Sequence, residues 1–134
     1  MNDAKIPRPI RTRLESASPN LQKQLVELRS MIVSVAREPE IGGVEETLKW
    51  NAPAYIARSG KGTTLRLEHD SQIHLRVHCQ SKVVERFKTE MGNVFAYDGS
   101  RGISLRPEDS LKDKKVIQGL KRFIRLALTY HSWK

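Results

Sequence analysis

The chain has 134 residues, a length at which one domain can bury a core without disulfides or a structural metal. Its single cysteine, Cys79, excludes an intrachain disulfide, and four scattered histidines leave no zinc-ligand spacing. The net charge is +9, but the excess sits at the two ends. Lys5, Arg8, Arg11 and Arg13 stand against Asp3, seven basic residues after Leu111 stand against Asp113, and the body between them is neutral. No apolar run suits a membrane span or a signal peptide, so the expectation is a soluble, cytoplasmic protein with no membrane partner.

In chain order, residues 1–17 contain Pro7 and Pro9 and no periodicity, and read as a basic flexible arm before a single domain over 18–134. Ser18 and Pro19 make a cap and first-turn pair, and Leu21, Leu25, Leu28, Ile32 and Val35 recur at helical spacing to about Arg37. After Pro39 and Gly42-Gly43 the stretch Val44 to Trp50 reads as a short helix, stopped by Pro53. Three strands follow at about 53–58, 63–68 and 72–79. In the third, Ile73, Leu75, Val77 and Cys79 alternate with His74, Arg76 and His78, which places Cys79 on the apolar side as a small buried hydrophobe. Ser81 is expected to cap a helix to about Met91, stopped by Gly92. Val94–Tyr97 and Gly102–Leu105 flank a turn, and a last helix starts at Asp109 or Ser110 with Lys114, Lys121 and Arg125 along its polar side.

These elements predict an α+β, two-layer fold: a five-stranded antiparallel sheet with helices on one face, in the order α, short α, β, β, β, α, β, β, α. Matching the apolar faces puts Ile56 opposite Leu65, Ala54 opposite Leu67 and Arg66 opposite His74. Tyr55 then stands opposite Arg66, in an outward row with His74.

The residues Glu45-Glu46-Thr47-Leu48-Lys49-Trp50-Asn51-Ala52-Pro53-Ala54-Tyr55, with Ile73-His74-Leu75 and Gly102-Ile103-Ser104-Leu105, resemble the YdhG-like family of small bacterial proteins over about Leu21 to Tyr130. The chain differs from the usual family pattern at Asn51, where glycine is common, and in its basic tail. The resemblance implies an architecture related to YjbR-like and secretion-chaperone-like folds. It implies no assigned activity for most members, and a frataxin-like iron-chaperone branch.

Three constellations offer chemistry. Lys49, Trp50, Tyr55, Arg66, His74 and Arg76 form a candidate surface for a small anionic ligand or a protein partner on the open sheet face, because arginine offers a planar donor fork and the aromatics offer stacking area. The same face is a candidate homodimer surface. Glu38, Glu40, Glu45 and Glu46 are the oxygen-rich cluster that an iron-chaperone reading would use. Lys114, Lys121 and Arg125, with the basic arm, are the phosphate contacts that a nucleic-acid reading would use. His74 and His78 face the same way but lie roughly 13 Å apart along a strand, too far to share a metal ion. Cys79 has no positioned base, and no phosphate loop or nucleophile elbow occurs. The expectation is therefore a binding or interaction protein with no catalytic residues and no cofactor.

Overall fold

A computed structural model describes residues 6–133. The first five residues of the expected arm, with Asp3 and Lys5, and the final Lys134 lie outside the described residues. The rest of that arm is not a tail. Arg8–Glu15 forms α1, opened by Pro9 in its first turn, with Ile10 and Leu14 buried in the core. Two apolar residues four apart form one helical stripe, enough to dock a short helix that its basic residues disguise.

Helix α2 runs Pro19–Ala36, with Ser18 Oγ accepting the Leu21 N–H and Leu25, Leu28, Ile32 and Val35 buried. The next segment overturns the short-helix expectation. Val44–Lys49 is strand β1, which pairs antiparallel with β2, Ala52–Ala57, through Lys49 opposite Ala52 and Val44 opposite Ala57. β3 is Leu65–His69 and β4 is Ile73–Arg76, four residues shorter than the expected run 72–79. After α3 (Val83–Met91) come β5 (Ala96–Asp98), β6 (Gly102–Ser104) and α4 (Lys114–Leu128). The sheet therefore has six strands among the described residues, in the order β1-β2-β3-β4-β6-β5, every pair antiparallel.

Two caps fall elsewhere than expected. Asp113, not Asp109 or Ser110, opens α4 by accepting the Lys115 N–H at 2.9 Å, whereas Asp109 accepts from the Arg106 backbone N–H and guanidinium. Ser81 does not cap α3, and its buried hydroxyl has no partner among the described residues.

The register carries the largest consequence. Tyr55 pairs with Leu65 and Ala54 with Arg66, one residue away from the expected alignment. A one-residue slip exchanges the faces of a strand, so Tyr55 joins Leu65, Leu67, Leu75 and Ile103 in the hydrophobic cluster that holds the apolar side chains of all four helices. Pro53 explains the short β2–β3 ladder. It stands where the next bond to β3 would need an N–H, and pairing ends at Ala54. Between β3 and β4 the alignment moves by two residues, giving Arg66 opposite Arg76 and Glu68 opposite His74, a shift that leaves the faces unchanged.

Candidate functional site

The first hairpin turns on two residues, Trp50 and Asn51, whose φ values of 55° and 60° are both left-handed. Such a pair between two paired strand ends is a type I′ turn, whose twist suits a two-residue hairpin. Asparagine tolerates this region. Tryptophan does not, since a bulky side chain at positive φ costs on the order of 1–2 kcal/mol. Trp50 is nevertheless 84% exposed, and apart from Val26 it is the exposed large hydrophobic residue among the described ones. The expected end of a short helix is thus a hairpin tip that lifts a tryptophan into solvent.

Charge surrounds that tip. Lys49 is exposed beside it, and a groove between α1 and the hairpin is lined by Arg8, Thr12, Arg13, Ser16, Leu48 and Asn51. Arg11 is exposed on the same helix, whose first turn carries no acidic residue.

The other expected site residues are not gathered there. Tyr55 is fully buried, and its hydroxyl donates to Glu46 Oε2 at 2.8 Å. Arg29 clamps the same carboxylate from α2, Nε to Oε2 at 2.8 Å and Nη2 to Oε1 at 2.7 Å. Burial first, and then the Glu46 charge, push the Tyr55 hydroxyl far above its ordinary value, so it stays protonated and donating. Tyr55 is therefore a core residue locking β1 and β2 to α2, which corrects its expected outward position.

Arg66, Arg76 and His74 do lie on the polar face, but already partnered. Arg66 and Arg76 both meet Glu68, at 3.1 and 2.9 Å, and Arg76 also reaches Asp98 at 3.1 Å. Arg76 pairs with Gly102 across the ladder, where a side chain would drive its Cβ to 2.1 Å from the Leu75 carbonyl oxygen; the missing side chain also leaves room for the reach to Asp98. Two arginines thus meet two carboxylates, and little positive charge remains for a ligand. His74, 7% exposed, has Ser104 Oγ at 2.7 Å from Nδ1 and the Asp70 carboxylate at 3.1 Å from Nε2. Serine, histidine and carboxylate in a row resemble a nucleophile relay in composition. Ser104, however, is 8% exposed within β6 between His74 and Ala96, where its hydroxyl ties two strands together. Sequence reasoning missed this chain because Asp70 and Ser104 are brought to His74 by a turn and a non-local pairing.

The four glutamates of the iron reading do not form one cluster. Glu38 is held by Arg125 Nε and Nη2 at 2.9 and 2.7 Å, a contact that lowers its carboxyl below the ordinary value. Glu46 turns to the core while Glu45 lies on the opposite face of β1, and Glu40 is exposed in the preceding turn. No group of three metal-ligating side chains forms among the described residues. On α4, Lys114 and Lys121 are exposed, whereas Arg125 is committed to Glu38. His78 and Cys79 both leave the strand for the loop after Arg76, and Cys79 is exposed, not buried as expected.

Comparison with known proteins adds no relative: no family model matches the chain, no curated protein matches its sequence and no solved structure matches its fold. Among the described residues no helix is long and apolar enough to cross a membrane.

Proposed function

We propose that this protein is a small binding module of the YdhG-like type whose working surface is the tip of its first hairpin, and that its target is single-stranded nucleic acid. The observation that supports this reading is Trp50, held at positive φ and 84% exposed, between exposed Lys49 and Asn51, the latter lining a groove with Arg8 and Arg13 of α1. The two-residue turn sets the positive φ at position 50, but it calls for no indole there, and strained bulky residues cluster at functional sites. An indole in water offers a stacking surface to any base, and the adjacent guanidinium and ammonium groups offer phosphate contacts without base selectivity. The basic segment that reads as an arm in the sequence serves here as one wall of the groove. The polar sheet face is the weaker candidate, since its arginines spend their charge on Glu68 and Asp98.

The test is fluorescence anisotropy of a labelled twelve-nucleotide single strand at low salt. Trp50→Ala is expected to weaken binding roughly 5- to 150-fold, the loss of about 1–3 kcal/mol of stacking. Arg8→Ala with Arg13→Ala should flatten the salt dependence by about 0.7 in the log–log slope for each phosphate contact removed. Wild-type affinity no tighter than millimolar, or equal binding by Trp50→Ala, would sink the proposal.

A further inference from the structure

β1 ends the strand order, and its outer edge faces no other strand among the described residues. The Arg58 N–H donates to the Gly43 carbonyl at 2.9 Å, which fixes the phase of the β1–β2 ladder. Because bonding alternates along an antiparallel pair, Glu45, Thr47 and Lys49 turn their amides toward β2, while Val44, Glu46 and Leu48 turn theirs outward. The edge therefore offers three residues' worth of donors and acceptors in a row. It also carries a self-complementary charge pattern, Glu45 and Lys49 placed symmetrically about Thr47, with both charged residues exposed.

We propose that the protein forms a two-fold symmetric dimer by joining two copies of β1 edge to edge, antiparallel and centred on Thr47. In that register the outward amides of Glu46 meet those of Leu48 from the second copy, as the ladder phase requires. Thr47 faces its own symmetry mate, and Glu45 faces Lys49 on each side. A shift by two residues in either direction keeps the phase but sets Thr47 against Glu45 or against Lys49 and loses both charge pairs. Cross-strand opposite charges and threonine pairs each favour their alignment, whereas other exposed strands meet a charged edge that does not match. A symmetric interface of this kind is the commonest form of closed assembly. It joins two six-stranded sheets into one and leaves the two hairpin tips at opposite ends of the seam, roughly 20 Å apart at ~3.3 Å per residue. The dimer does not rest on the nucleic-acid reading, and either stands without the other.

Light scattering on the eluting full chain reads the mass directly, and twice the chain mass of 15.3 kDa is the expected result at micromolar concentration. Glu45→Lys alone and Lys49→Glu alone each put like charges across the seam and should return the monomer, while the double exchange restores the dimer. Circular dichroism confirms that each variant is folded, as both side chains are exposed. The register is tested by Thr47→Cys in a Cys79→Ser background. Residues facing each other in a non-hydrogen-bonded pair lie about 4.5 Å apart at Cα, within disulfide range, so oxidation should give a covalent dimer. Glu45→Cys in the same background should not cross-link, since Lys49 faces it. A monomeric wild type, dimers indifferent to the charge variants, or equal cross-linking at positions 45 and 47 would each overturn the proposal.

Discussion

Arg29 and Arg76 meet carboxylates on opposite faces of the same sheet, and the two arrangements do different work. Arg29 and Glu46 have side chains 4% and 11% exposed, a forked contact with two short bonds, and Tyr55 closing the remaining site on the carboxylate. Arg76 and Glu68 are 24% and 20% exposed and share their charges with Arg66 and Asp98. A buried charge that loses its partner remains stranded in a poor solvent, whereas a half-exposed one is rehydrated. The comparison teaches that the conspicuous arginines of the polar face are the dispensable ones. The glutamate in the middle of β1 is not.

The sharpest way to break the comparison is Glu46→Ala, which removes the carboxylate that holds both Arg29 and Tyr55. Denaturant unfolding should show a loss of about 3–5 kcal/mol. Tyr55→Phe removes one hydrogen bond to a charged acceptor and keeps the ring, and should cost about 1.5–3 kcal/mol by the same measurement. A third carboxylate, in the helix layer, adds a pH test. Glu90 takes bonds from Arg122 at 2.6 and 2.9 Å and from Arg86 at 3.0 Å, which pull its carboxyl from the ordinary 4.5 down to about 2. A depressed carboxyl adds stability above its unfolded value and loses it as the pH falls through the folded one, so this contribution should fade between about pH 4.5 and 2. Glu90→Gln should flatten that limb of the stability curve. Smallest of all is Arg66→Ala on the polar face, expected to change stability by no more than about 1 kcal/mol.

Much of the architecture was legible. The Ser18-Pro19 start and the leucine spacing of α2 were read correctly, as were the Gly92 stop of α3 and the alternation of β4 as far as Arg76, beyond which His78 and Cys79 leave the strand. The errors had two physical sources. In β1, Val44 and Leu48 share a face at helical spacing, but they also alternate with Glu45, Thr47 and Lys49; the pairing with β2 decides between these periods, and local sequence does not. The available signal was Asn51, a residue suited to the second position of a type I′ turn. In β2, Ala54 and Ala57 are too small to mark a face, so apolar matching settled on Ile56 and turned Tyr55 outward by one residue of register. That slip placed Tyr55 in the candidate site and hid its bond to Glu46, nine residues away. Trp50 was among the candidate site residues, but its exposure follows from the turn conformation, which became visible only with the strand pairing.

The central claim is that Trp50 stands in water as a contact residue, and its fluorescence tests this most directly. The second tryptophan, Trp133, is half-buried against Tyr130 with the Arg86 guanidinium 4.6 Å from its ring centre, so Trp133→Phe leaves Trp50 as the sole indole. The account predicts a red-shifted emission in that variant, freely quenched by acrylamide and then quenched and shielded when a single-stranded oligonucleotide is added. A blue-shifted emission that resists acrylamide, or a red-shifted one that no oligonucleotide alters, would contradict it.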